Sequence, residues 1–348
     1  MKANYYRFLF ENTNDGIVNT GSIVDTEKDE KFQFCYLSGA AAVKADEGND
    51  IDESVEVVNG LPEVLDMLVI ADFEPHYLEK ALKLLKKTKA EKVLLPKCDE
   101  DVRAKLVKSL SDEEHCDQAI ELIKEPEAVL KREGAVKIYE LGEGETFSTE
   151  SSGFKVKVSC YGKGENASLV MYYGPAEKGT KNLESMFAVK SFTKEMKCSM
   201  CVDGENHHCA MKCCLYNDYD ICRRHSEKDC EQFILGTLLL GNVKLEECGQ
   251  KILSDFEEEI GGLRVMSVPN GGAKENWDKL FFEKTMDIFS KNNPETAHFK
   301  QYFVVPSCKK TSAQTLMDIS ASDPYHQLVM TGKVYGICAS GYLKSRMD

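Results

Sequence analysis

The sequence predicts an α/β protein in which β-rich stretches alternate with strand–helix–strand units. Two observations carry this. Met67-Leu68-Val69-Ile70-Ala71 is an unbroken apolar run of strand length, and an amphipathic helix and a second short apolar strand at Lys92–Pro96 follow it. The same alternation returns between residues 233 and 305. The chain therefore reads β-rich, βαβ, helices, β-rich, βαβα, β. Two such halves face to face make a four-layer αββα sandwich, and composition leaves a doubly wound sheet as the alternative.

The elements follow in order. Tyr5–Phe10 is rich in strand formers, Asn14-Asp15-Gly16 is a turn, and Phe32–Leu37 is a second strand ending at Ser38-Gly39. Residues 44–60 are acidic and read as a loop. Leu78, Ala81, Leu82 and Leu85 recur at i, i+3, i+4 and i+7, the apolar face of one helix, with lysines opposite. A helix between two short apolar strands implies a parallel pair with a right-handed crossover. Residues 99–133 carry two or three charged helices, and Val136–Leu141, Phe154–Cys160 and Ala167–Tyr173 are strands. Phe233–Leu240 is a strand, 245–260 a helix, Leu263–Val268 a strand, 273–290 a helix and Gln301–Val305 a strand. Helical turns are expected over 311–332, and a terminal hairpin from Val334–Cys338 and Gly341–Lys344.

Composition narrows the function classes. The 348 residues are 42% hydrophobic and 29% charged, which suits a soluble globular chain with a sizeable core. No apolar run approaches the length of a membrane span, and the N-terminal residues show no export signal. The expected compartment is the cytoplasm, where thiols stay reduced. A formal charge of −14 disfavours non-specific nucleic-acid binding, whose phosphates would repel the chain as a whole. Lys83, Lys86, Lys87, Lys89 and Lys92 form the densest basic cluster, and a solvated helix face accounts for it.

Seven of the fourteen cysteines fall between Cys198 and Cys230. The spacing is Cys198-x2-Cys201-x7-Cys209-x3-Cys213-Cys214-x7-Cys222-x2-His225-x4-Cys230. Zinc takes four N or S ligands in a tetrahedron, so these seven thiolates with His225 suffice for one or two structural zinc ions. The segment has few large apolar residues, and metal ligation supplies folding energy that a small core cannot. An iron–sulfur cluster is the alternative, although the spacing differs from the ferredoxin patterns. His207 and His208 sit in a loop context, and the other seven cysteines are scattered as buried thiols are.

Several segments, in their order, resemble the metallo-β-lactamase superfamily, in its ComEC-like branch. These are residues 65–96, NASLVMYY at 166–173, FILGTLLLGNVKLEE at 233–247, VPNGGAKENW at 268–277 and DPYHQLVMTGKVYGICASGYL at 323–343. The resemblance implies the αββα sandwich, with residues 1–179 and 232–348 as its two parts and a Cys-rich, zinc-binding insertion at 180–231. It also implies a two-metal hydrolytic site, and here the chain departs from the pattern. Asp72, Glu74, His76 and Tyr77 stand where the family has His-x-His-x-Asp-His. Asn242 replaces the bridging aspartate, Asn270 the histidine after Val-Pro, and Ser38 the early aspartate. An amide oxygen carries no charge and is a poor zinc ligand, so the expected pocket is vestigial.

The expected function is therefore that of a pseudoenzyme which binds a protein or small-molecule partner and carries a structural zinc module. A metal-dependent hydrolase of a phosphodiester or nucleotide is the alternative. It would use one Mg²⁺ or Mn²⁺ on Asp72, Glu74 and His76, with Asp323 or His326. Redox sensing through zinc-bound thiolates is a third reading. An anion on the amides of Gly271–Ala273, at the start of the next helix, is a further expectation.

Overall fold

The computed structural model describes residues 3–10, 16–25, 30–39, 62–111, 116–151, 153–176, 183–191, 236–292, 301–305, 311–321, 326–330 and 335–344. In chain order the first strands are β1 (Ala3–Phe10), β2 (Gly16–Asp25), β3 (Glu30–Gly39), β4 (Val64–Leu65) and β5 (Met67–Ile70). Helix α1 (Pro75–Leu85) leads to β6 (Lys89–Pro96), then α2 (Glu100–Leu110), α3 (Asp117–Lys124) and α4 (Pro126–Glu133). Strands β7 (Ala135–Leu141), β8 (Thr146–Ser151), β9 (Phe154–Tyr161), β10 (Ser168–Pro175), β11 (Leu183–Ser191) and β12 (Gly236–Leu239) follow. The chain continues through α5 (Leu245–Asp255), α6 (Glu257–Ile260), β13 (Leu263–Ser267), α7 (Lys279–Asn292), β14 (Gln301–Val305), α8 (Ala313–Ala321), β15 (His326–Met330) and β16 (Tyr335–Lys344).

These strands form two sheets. The first runs β11-β16-β1-β2-β3-β5-β6-β4, with β7 on β6, and the second runs β15-β14-β13-β12-β10-β9-β8. Strands β5 and β6 pair in parallel across α1, so the strand–helix–strand unit expected at 67–96 is present. Its helix begins cleanly. Glu74 is the N-cap, its carboxylate accepts from His76 N at 2.9 Å, and Pro75 opens the first turn. Leu78, Ala81, Leu82 and Leu85 are all buried, and each leucine contributes roughly 1.5–3 kcal/mol by burial.

The sheets pack face to face as an α/β sandwich. The Phe34 ring of β3 lies 5.0 Å from that of Tyr173 on β10, and the Tyr36 hydroxyl donates to Leu169 O at 2.9 Å. Alternation along β10 splits its side chains between two cores. Leu169, Met171 and Tyr173 join the core shared with the first sheet. Val170 and Tyr172 join Phe256, Phe281 and Phe282 in a second core beneath α5–α7. On the other side, α1 packs against β3 and β5, and α4 against β7. Among the described residues no helix is long and apolar enough to cross a membrane.

Several expectations are corrected. Residues 326–330 are a strand rather than helical turns, because they extend the second sheet in parallel with β14. The terminal hairpin is instead one continuous strand, β16, whose Gly341 pairs with Tyr6 of β1 and with Ser185 of β11. Over 273–290, 3₁₀ turns at Pro269–Gly272 and Lys274–Asn276 precede a helix that starts only at Lys279. Strands β2 and β8 had no counterpart in the sequence reading.

β10 and β12 are antiparallel neighbours, with Met171 opposite Leu239, so the long segment between them connects two adjacent strands. β11 falls inside the 180–231 segment and pairs with β16. Cys198, Cys201, Cys209, Cys213, Cys214, Cys222, His225 and Cys230 lie outside the described residues, as do Asp323 and the acidic stretch 44–60.

Candidate functional site

β5, β12 and β13 point their carboxyl ends to one end of the sandwich, where open α/β sheets carry their sites. The candidate residues fall there in two groups. The first is built on Asp72, one residue beyond Ala71 at the end of β5. Asp72 is 5% exposed. Its Oδ2 accepts from Ser38 Oγ at 2.7 Å, and its Oδ1 accepts from Glu74 N at 3.2 Å and Gly39 N at 3.4 Å. Burial pushes the Asp72 carboxyl up to about 6, against the pull of those three donors. Asp72 in turn helps burial raise the Tyr36 hydroxyl well above its ordinary value.

The Glu74 Oε2 is spent on the amide of His76, as the cap of α1. The His76 ring, half-buried in the first turn, meets Tyr77 edge-on with centroids 5.9 Å apart. The close fit here depends on Gly39, where a Cβ would come within 2.5 Å of the Glu74 side chain. Among the described residues, no three His, Cys, Asp or Glu side chains come together in a way that could hold a metal ion.

The second group consists of amides on the second sheet. Asn242 N donates to Ser168 Oγ at 3.0 Å, while its side-chain Oδ1 is buried without a hydrogen-bond partner. Asn270 sits in the left-handed region at φ 44° and ψ 45°, which asparagine tolerates better than most residues. Its backbone N donates to Gly241 O at 3.1 Å, and its Nδ2 donates to Asn276 Oδ1 at 2.8 Å. Asn276 Nδ2 then reaches Asn242 O at 2.8 Å and Val243 O at 3.1 Å. Asn276, which the sequence reading passed over, is therefore the residue that joins Asn242 to Asn270. The anion expected at Gly271–Ala273 loses part of its footing. The Ala273 amide already donates to Asn270 O, and no α-helix begins there.

Residues 168 and 169 connect the two groups. Leu169 N donates to Ala71 O at 2.7 Å, and Ser168 Oγ receives the Asn242 amide. Gly241, at φ 58°, completes the junction, since a Cβ there would lie 2.3 Å from Ser168 Oγ and 3.1 Å from the Tyr36 hydroxyl.

This donor set does not fit a two-metal hydrolytic centre. Such a centre needs about five or six imidazole and carboxylate ligands. Here Asp72 accepts three hydrogen bonds, Glu74 caps a helix, and neutral amides occupy positions 242 and 270.

No family model and no curated protein matches the chain. Among solved structures, the crystal structure of unliganded yeast PDE1 aligns over 99% of this chain and 100% of its own, with a TM-score of 0.42 and 8% identity. A likeness at that level carries no argument about function.

Proposed function

We propose that this chain is a non-catalytic protein of the metallo-β-lactamase type, a four-layer αββα sandwich that binds a protein or small-molecule partner. In this reading residues 1–179 and 232–348 are its two parts, β11 of the intervening 180–231 segment adds a strand to the first sheet, and the Cys-rich residues of that segment hold one or two structural zinc ions. The observation that carries the reading is the hydrogen bonding of the Asp72 carboxylate. The acid best placed to hold a catalytic ion accepts hydrogen bonds from the Ser38 hydroxyl and two backbone amides instead. Ser38 and Asn242 both stand where the resemblance expects aspartate, and Asn270 where it expects histidine. Each replacement removes charge or basicity from the same end of the sandwich.

The test is an activity screen of the purified full chain. Phosphodiester and cyclic or linear nucleotide substrates are incubated with Mg²⁺, Mn²⁺ or Zn²⁺, beside the D72A/H76A double variant. Turnover at background for both proteins is the expected result. Metal-dependent hydrolysis that the double variant loses would replace this reading with that of a hydrolase built on Asp72, Glu74 and His76.

A further inference from the structure

Resting on the reading above that the chain binds a partner, we infer that the open edge of β7 docks an extended peptide of alternating acidic and apolar residues, with the acids set against Lys137 and Lys92. Among the described strands β7 pairs with β6 alone, so one of its edges is open. Ala90 N of β6 donates to Gly134 O. In this parallel register Gly134, Val136 and Ile138 therefore turn their backbone groups to β6, and Ala135, Lys137 and Tyr139 turn theirs outward. An outward row of N–H and C=O groups is the template on which one more strand adds.

The two faces beside that edge differ. Tyr139 faces the seam between the sheets, where its ring lies 5.3 Å from that of Phe147 on β8. Lys137 lies two residues before Tyr139 and shares its face, and Lys92 of β6 stands directly opposite Lys137 in the register. Thr149, two residues after Phe147, lies on the seam face of β8. The other face of β7 carries Val136, which is 51% exposed, and the half-buried Ile138.

Charge complementarity decides the occupant. Like charges directly opposite each other destabilise a sheet, and among the described residues neither Lys92 nor Lys137 has a hydrogen bond or an ion pair. In a chain of formal charge −14 this is an uncompensated basic pair. Lysine on an edge deters indiscriminate strand pairing. Here it also selects, because a basic or apolar strand would oppose or bury the ammonium groups, whereas an acidic side chain neutralises them. Side chains of an added strand alternate between the two faces. Acids on the seam side therefore leave apolar side chains on the side of Val136 and Ile138.

The test titrates the full chain, at physiological salt, with a labelled acetylated heptapeptide of alternating valine and glutamate, read by fluorescence anisotropy and hydrogen exchange. Saturable binding is expected, with new protection at the amides of Ala135, Lys137 and Tyr139. Lysine in place of glutamate in the peptide weakens binding by at least about tenfold, and full N-methylation of the peptide abolishes it. K92E/K137E reverses the preference between the two peptides. K137A leaves the edge intact and loses most of that preference; it is the working variant if the double variant does not fold. No saturable binding, equal binding of the lysine peptide, or protection at β8 in place of β7 would each overturn the proposal. So would protection of the three β7 amides in the free chain that K92E/K137E releases, since the chain's own acidic residues 44–60 would then be the occupant. Failure of the non-catalytic reading would appear separately, as turnover in the activity screen.

Discussion

Ser38 donates its hydroxyl hydrogen to Asp72 across 2.7 Å, in a buried contact between the ends of β3 and β5. That bond joins two strands far apart in sequence at the point where α1 begins. It also leaves the carboxylate more tolerant of its burial than it would be alone, since hydrogen bonds to the charged form favour it. Burial still wins, and the carboxyl rests at about 6 against an ordinary value of 3.8.

This gives a pH dependence with a definite sign. The folded value lies above the unfolded one, so the fold favours the protonated acid. The stabilisation is fully present below about pH 3.8 and is lost as pH rises through about 6. Between pH 4 and pH 7 the natural chain should lose about 2–3 kcal/mol relative to D72N, which cannot titrate. Urea unfolding of both proteins across that range checks it, and parallel stability curves would show that Asp72 is not the group responsible. S38A removes a donor to the charged form and raises the folded value further, so its loss should begin at the same pH but continue to a higher one and be larger.

Gly241 and Tyr36 meet at the junction of the two sheets. G241A forces a Cβ to 2.3 Å from Ser168 Oγ at a positive φ, and should cost at least about 2 kcal/mol through steric overlap and backbone strain together. Y36F deletes only the hydroxyl that bonds Leu169 O, and should cost about 1–2 kcal/mol because it leaves a buried carbonyl short of a donor. Thermal unfolding of the two variants measures the difference. A G241A that melts with the natural chain would mean that Gly241 and Ser168 are not in contact.

How much of this was legible beforehand depends on how much information a local window holds. The β5–α1–β6 unit was readable because a buried parallel strand is an unbroken apolar run and its helix keeps a 3.6-residue period. β2 was not, because Asn19, Thr20, Gly21 and Ser22 interrupt it. Gly21 is small for a tertiary reason, as a Cβ there would lie 2.1 Å from the Phe34 ring. β8 is a polar edge strand, with Phe147 as its one large apolar side chain, packed on Tyr139. The expected hairpin turn falls at Ala339-Ser340, but both residues pair on either side, with Phe8 and Arg7 of β1 and with Phe187 and Met186 of β11, so the strand runs on. At the site, Ser38, Asn242 and Asn270 stood out in the sequence only through the resemblance, as uncharged residues where it implies acidic or imidazole ligands. Asn276 was not, since its role arises only when two loops meet.

Glu259 gives a second titration of opposite sign. Burial pushes its carboxyl up, but the hydrogen bond from Lys155, the charge of Lys157 and its backbone bond together hold it below 4.5. The Lys155 contact is 2.7 Å and the Lys157 contact 3.3 Å, and they tie β9 to α6. Stability from this group is present above the ordinary carboxylate range and is lost as pH falls through the depressed folded value. E259Q should cost about 2–3 kcal/mol near neutral pH, at the lower end for a broken buried pair because both lysines keep some solvent contact. Its deficit should shrink as pH drops below the ordinary carboxylate range, and a deficit that grows there would reverse the assignment.

The Cys198–Cys230 segment is tested by counting atoms. Elemental analysis of tag-free protein should give about one or two zinc ions per chain, following from four ligands per ion and eight candidate ligands. Replacing Cys198 and Cys201 by serine removes two thiolates from one tetrahedron and should lower that count by about one ion. Because the ion would supply folding energy to a segment with little apolar content, the same double variant should become sensitive to proteolysis between β11 and β12 while the sandwich stays resistant. Iron with acid-labile sulfide would instead indicate a cluster on the same thiolates. A chain with no bound metal, whose cysteines react fully with a thiol reagent without prior chelation, would rule out the module.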